Sequence, residues 1–172
     1  MMFHTIGHST RASDELVGVL KAHGIARLAD VRSVPRSRRQ PHFSIERLPA
    51  ALALVDIAYR HFPQLGGMRK PRPDSTNTGW RHPGFRGYAD YMAGEAFEAG
   101  LTELIAWGRD QPTAVMCAEA VWWRCHRKLI ADALVARDVE VWHILTRAAP
   151  QRHELTEFAR IAENLVTYPG LI

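Results

Sequence analysis

Short apolar runs alternate with stretches at helical spacing along this chain, and no other feature restricts its fold as strongly. Phe3 to Ile6 reads as a strand closed by Gly7. Behind Ser13, a candidate N-cap, and the acidic pair Asp14 and Glu15, the residues Leu16, Val19, Leu20 and His23 recur at helical spacing, and Gly24 is placed to end the helix. Ile25 to Val31 is a second strand. Ser44 is a candidate cap for a helix carrying Leu48, Leu52 and Val55, with Pro49 near its first turn. Ile57 to Phe62 is a third strand, a helix runs through Phe97, Leu101, Leu104 and Ile105, and Thr113 to Cys117 is a fourth strand. The spacing then predicts a helix over Trp122 to Arg137, a fifth strand over Val139 to Leu145 and a terminal helix over Glu154 to Leu165. Such alternation implies parallel βαβ units with right-handed crossovers and helices on both faces. The expected fold is α/β, a Rossmann-like three-layer sandwich with a mainly parallel sheet of about five strands.

With 172 residues, 47% of them hydrophobic, the chain suits a single α/β domain over 1–172. No apolar run reaches the ~18–20 residues of a membrane span, and the start M-M-F-H-T-I-G-H lacks a basic region followed by a long apolar stretch. A cytoplasmic protein with no membrane partner is expected.

From about 63 to 87 the composition changes to proline, glycine, asparagine and arginine without either periodicity. This reads as a long inserted loop, and loops of that length in compact domains are usually functional or mobile. Its Arg69, Lys70, Arg72, Arg81 and Arg86 are interleaved with Trp80 and Phe85. The charge is uneven too: residues 31–88 hold eleven basic and three acidic side chains, whereas 89–172 hold eight and twelve. A cationic middle third suggests an anionic partner, a small molecule or nucleic acid. Oligomeric state is not legible.

In an open parallel sheet, ligands bind beyond the carboxyl ends of the strands, where the strand order reverses. With an expected order of 3-2-1-4-5, the first and fourth strands are neighbours, so His8, Ser9, Cys117 and Glu119 converge on one crevice. Two cysteines cannot form a disulfide scaffold, and a reducing cytosol disfavours a crosslink, although a redox role stays open. Cys117 leaves a buried strand, and a helix N-terminus behind it would lower its thiol pKa, making it a nucleophile or a site-lining thiol. Cys125 either packs against the sheet or joins the site. His126 suits proton transfer near neutral pH, and Glu119 and His8 complete the candidate catalytic set.

The spacing C-x7-C-H departs from the C-x2–4-C of structural zinc sites, so no metal is assigned, and no cofactor is identified. The loop V-R-S-V-P-R-S-R-R carries four arginines and Ser37 at a strand's carboxyl edge. There Arg32 and Arg38, with Arg127 from beyond Cys125, are candidate anion ligands. Asp30 is a candidate orienter of Arg32. Gly66 and Gly67 would let backbone approach a ligand closely.

Taken together, T-I-G-H-S at 5–9, D-V-R-S-V-P-R-S at 30–37, Phe43, Y-R-H-F-P-Q-L-G-G at 59–67, C-A-E at 117–119 and C-H-R at 125–127 resemble the bacterial and archaeal family known as domain of unknown function 488. The resemblance implies a small α/β domain without an agreed activity. It marks His8, Ser9, Asp30, Arg32, Pro35, Ser37, Gly66, Cys117, Glu119, Cys125, His126 and Arg127, all of which stand here. The leading expectation is an enzyme acting on a phosphate-bearing substrate, a nucleotide or nucleic acid. The rival is a binding module without chemistry.

Overall fold

A computed structural model describes residues 1–170. Its strands are β1 (Met2–Gly7), β2 (Arg27–Asp30), β3 (Ala58–His61), β4 (Thr113–Cys117), β5 (Glu140–Ile144), β6 (Gln151–Arg152), β7 (Arg160–Ala162) and β8 (Leu165–Thr167). The α-helices are α1 (Ser13–Ala22), α2 (Leu48–Ala53), α3 (Pro83–Tyr91), α4 (Glu95–Gly108) and α5 (Arg127–Val135). The main sheet runs β3-β2-β4-β1-β5-β6, parallel throughout except for the antiparallel edge strand β6.

Alternation along β4 assigns the layers. Ala114 and Met116 face one side, where they pack with Leu16, Val19 and Leu20 of α1 and Leu48 and Leu52 of α2. Val115 and Cys117 face the other, with Leu101 and Leu104 of α4, Leu129 and Ile130 of α5 and Tyr88 of α3. Successive strand side chains point to opposite faces, so each central strand is apolar on both. This is the Rossmann-like sandwich the alternation implies.

The strand order differs from 3-2-1-4-5 in one respect: β4 lies between β2 and β1 rather than outside β1. The first and fourth strands remain neighbours, with Gly7 opposite Cys117, and β4 also pairs with β2, with Asp30 opposite Met116. Cys117 therefore ends the strand between the two that end in Gly7 and Asp30.

Three elements depart from the periodicity. The helix expected from Trp122 begins only at Arg127. Trp122–Arg124 is a 3-10 turn, Cys125 is extended (φ −130°, ψ 150°) and His126 is the N-cap. The apolar spacing is as good before Arg127 as after it, but Leu129, Ile130 and Leu134 are buried whereas no residue of 122–124 is. The terminal helix over Glu154 to Leu165 is absent. Instead β7 and β8 form a hairpin, turned by Glu163 and Asn164 at φ 49° and 70°. Two successive left-handed residues make the tight turn that matches strand twist, and the helical spacing there was coincidental.

Third, the insertion is ordered. It holds a 3-10 turn at Pro63–Leu65, and α3 starts within it at Pro83. The buried Asp90 carboxylate accepts hydrogen bonds from Ser75 Oγ (2.6 Å), Asn77 Nδ2 (2.8 Å) and the Arg72 amide (2.8 Å). These donors satisfy loop polar groups that the proline-rich segment cannot pair by itself.

Candidate functional site

The chain leaves β1 toward β2 in one direction and leaves β4 toward β5 in the other, so the strand order reverses at this pair, which stays hydrogen-bonded through His8 to Cys117 and Ser9 to Ala118. Beyond their carboxyl ends opens a cavity of about 520 Å³, bounded by His8, the segments after β2 and β4, and the insertion. The rule that places ligands at such a reversal locates it correctly. Glycine permits this geometry, because a Cβ at Gly7 would collide with the Glu119 carbonyl as the loop after β4 folds over the end of β1.

The floor is sulfur and imidazole. Cys117 and Cys125 are in sulfur–sulfur contact, yet their Cα atoms stand 7.8 Å apart, wider than the ~4.4–6.8 Å of most crosslinked pairs. His126 Nε2 lies 3.0 Å from the Val31 carbonyl, a pure acceptor, so Nε2 carries a hydrogen, and Nδ1 faces Cys125 Sγ at 3.5 Å. The His126 ring fits because Gly67 has no side chain; a Cβ there would stand 3.0 Å from Nδ1.

Arg127 lies beneath, almost fully buried, donating from Nη2 to the Glu119 carbonyl (2.6 Å) and from its amide to Cys125 Sγ (3.5 Å), with Nε unpartnered. A buried cation costs several kcal/mol unless compensated, and the polarisable sulfurs are its neighbours. Between the reduced cysteines the charge falls on Cys125. Burial raises its pKa, but hydrogen bonds from Cys117 and His126 and the charges of His126 and Arg127 outweigh burial and hold the thiol well below its ordinary value. Burial and the hydrogen bond to Cys125 push Cys117 up instead. The expected activation of Cys117 by a helix N-terminus thus fails for a geometric reason: α5 starts at Arg127, so its first amides serve Cys125.

One wall is a chain of hydrogen bonds. Asp30, fully buried, accepts from Arg32 Nε (2.9 Å), Arg32 Nη2 (2.6 Å) and Tyr59 OH (2.6 Å). Arg32 Nη2 also reaches the Phe43 carbonyl (2.7 Å), which leaves Nη1 facing His8 Nε2 at 3.3 Å. His8 donates from Nδ1 to the Ser9 carbonyl (2.8 Å) and packs against the Phe43 ring at a tilt. Burial, opposed by the Ser9 carbonyl and aided by the charge of Arg32, pushes the His8 pKa down to about 4, so the ring is neutral near pH 7.

Of the residues singled out from sequence, His8, Arg32, Ser37, Gly67, Cys117, Glu119, Cys125 and His126 line this cavity. Ser9 does not, but its left-handed backbone (φ 51°) turns its carbonyl toward His8. Asp30 sits behind Arg32, as an orienter. Arg38 is exposed away from the cavity, and Gly66 accommodates Ser33 rather than a ligand. Arg32 and Arg127 are poor anion clamps: a carboxylate already neutralises the first, and the second is sealed beneath the floor.

The exposed cations of the mouth are Arg36 and Arg124, beside Glu119. Arg36 was legible only as one of four loop arginines. The opposite wall, His82, Phe85 and Tyr88, comes from the insertion and α3; of these only Phe85 was marked in the sequence, as an aromatic among the arginines of the insertion. Trp80, by contrast, packs inward on Phe85, Phe158 and Tyr168.

No curated protein and no solved structure matches the chain. The sequence profile of one family matches residues 12–134, which takes in the floor, the Asp30–Arg32 pair and the insertion but not β1, His8 or β5. The chain belongs to the family described as domain of unknown function DUF488.

Proposed function

We propose that this protein is an enzyme acting on a phosphate-bearing substrate, a nucleotide or a piece of nucleic acid, held in the crevice at the carboxyl edge of the sheet. The observation that carries the reading is the composition of one cavity: a buried sulfur–imidazole floor beneath a mouth with two exposed arginines. Arg124 is exposed and placed to hold an anion by bidentate hydrogen bonds, and Arg36, whose only carboxylate partner is a solvent-exposed ion pair with Glu46 (2.9 Å), can exchange that weak pairing for an anion. Val34, Met68 and Phe85 offer an apolar, partly aromatic surface suited to a nucleobase. The reacting end then lies over Cys117, Cys125 and His126, and the exposed Glu119 carboxylate on the rim is placed to take or give a proton. His8 is less suited to that task, since Nδ1 is committed to a carbonyl and Nε2 faces a guanidinium.

A binding module without chemistry gains less support. Its stacking surface would be the aromatics of the insertion, and Trp80 is 8% exposed with Arg86 fixed to its carbonyl. The test is to incubate the reduced protein with a panel of nucleotides, oligonucleotides and simple phosphoesters and follow products by mass spectrometry. Turnover that disappears in Glu119→Gln and in Cys125→Ser, both still folded, is expected. Polyanion binding that falls steeply with salt, ignores both substitutions and accompanies no turnover would establish the binding module instead.

A further inference from the structure

We propose that Cys117, Cys125 and His126 form a three-ligand site for a thiophilic divalent cation, zinc before others, with the fourth position open to the cavity. Cys117 Sγ, Cys125 Sγ and one ring nitrogen of His126 lie within 4.8 Å of one another. Zinc holds sulfur at ~2.3 Å and nitrogen at ~2.0–2.1 Å, so tetrahedral ligand atoms stand about 3.4–3.8 Å apart. The Cys125 Sγ to His126 Nδ1 edge is 3.5 Å. The cysteine backbones, at 7.8 Å, are too far apart for an ordinary crosslink but leave room for the sulfurs to part around an ion.

Two outer contacts fit the same purpose. A metal-bound histidine usually donates its other N–H to a carbonyl or carboxylate, which fixes the ring and directs the free lone pair; His126 does so through Nε2 to the Val31 carbonyl. Bound thiolates carry negative charge, and the buried Arg127 supplies a neighbouring cation whose amide already points at Cys125 Sγ. Two thiolates and an imidazole favour zinc over magnesium or calcium, which prefer oxygen.

The spacing along the chain hides the set, since the loop between the cysteines is longer than in structural zinc motifs and contains its own 3-10 turn. Three protein ligands with an open fourth position facing a cavity match catalytic rather than structural zinc sites. The cation would polarise a water or a substrate oxygen there, with the sulfurs as ligands.

The site stands on donor geometry and does not depend on the substrate. Its test is therefore metal uptake without substrate. Reduced full-length protein is titrated with Zn²⁺ against a chromophoric chelator, and separately with Co²⁺ while its absorption spectrum is recorded. We expect about one equivalent of Zn²⁺, a thiolate-to-cobalt charge-transfer band and the visible bands of tetrahedral Co²⁺. In Cys117→Ser, Cys125→Ser and His126→Ala the affinity should fall by more than the ~10–100-fold that loss of an outer partner costs.

An octahedral cobalt spectrum without sulfur charge transfer overturns the proposal, and so does zinc affinity unchanged in all three variants. If a variant fails to fold by circular dichroism, the wild-type cobalt spectrum decides alone. Zinc uptake without turnover of any phosphate compound would remove the enzymatic reading and leave the metal site, and the reverse result would do the opposite.

Discussion

Two buried clusters of ionisable side chains flank α5, and they are built on opposite principles. At the helix N-terminus, Cys117, Cys125 and His126 border a cavity, with Arg127 sealed beneath them and its Nε without a partner. On the far side, Asp132 anchors a network that borders none of the cavities described. Its carboxylate accepts from His153 Nε2 (2.8 Å), the Thr156 amide (3.0 Å), Thr156 Oγ1 (2.7 Å) and Tyr168 OH (2.8 Å). In the neutral form of His153, with Nε2 donating, Nδ1 accepts from His143 Nε2 (2.9 Å), and His143 Nδ1 accepts from Thr5 Oγ1 (2.7 Å). One direction of donation runs from Thr5 to Asp132, and every member is satisfied. Burial and ionisability are common to both clusters; access and unused valence are what single out the floor as a place for chemistry.

The largest effect that would break this contrast lies at Asp132. The Asp132→Ala variant leaves four buried donors without an acceptor and unties the 153–156 segment and Tyr168 from α5. It should lose about 3–5 kcal/mol of stability in urea denaturation. A loss below about 1 kcal/mol would mean that the network is as loosely held as the floor.

Acid should act on the same network. Burial, then the neighbouring His153 and Arg127, push the His143 pKa down to about 3 from an ordinary 6.5. The ring also faces Thr5 and stacks on Trp122. Between those values the unfolded chain binds a proton that the folded chain refuses, so stability is complete above pH 6.5 and falls as pH drops toward 3. Thermal melts across that interval, with His143→Gln as reference, should show a steeper acid loss in the wild type. Parallel curves would remove His143 from the account.

How much of this was legible beforehand follows from what each segment is made of. The strands read correctly because Phe3–Ile6 and Thr113–Cys117 are short segments that carry apolar residues on both faces and are buried on both, as a parallel sheet between two helical layers requires. With them came the switch-point rule, and so the shared cavity of His8, Arg32 and Cys117, even though β4 lies one place from where it was expected. The C-terminal segment misread because its few apolar residues fit a helix as well as a hairpin, and Glu163-Asn164 is a weaker turn signal than Asn-Gly.

The roles of the arginines misread for another reason. Charge counts cannot tell Arg32, tied to Asp30, from Arg36, exposed at the mouth. Nor did anything in sequence announce the Thr5–His143–His153–Asp132 line, which joins β1, β5, the segment after β6 and α5 through single residues.

A smaller effect sharpens the comparison within the network. Tyr168→Phe removes one of four donors to Asp132 and leaves the carboxylate three others. Its cost should be about 1 kcal/mol, the net worth of one hydrogen bond, measured by the same denaturation. A cost near that of Asp132→Ala would mean that the phenol, rather than the carboxylate, holds the C-terminal hairpin in place.

The smallest expected effect on stability lies at the mouth of the other cluster. Arg124 is exposed, and Arg124→Ala should change stability by no more than about 0.5 kcal/mol, as is usual for a surface side chain away from special contacts. If this guanidinium holds an anion, the same substitution should weaken binding of inorganic pyrophosphate about five- to tenfold at low salt, and the difference should shrink as salt rises, because an exposed charge is screened. Arg38→Ala, outside the cavity, should leave pyrophosphate binding unchanged at every salt concentration. Equal losses in both variants would mean that the protein attracts anions through its overall positive field rather than through a built site. In that case the unused valence of the floor would have no phosphate-bearing substrate above it.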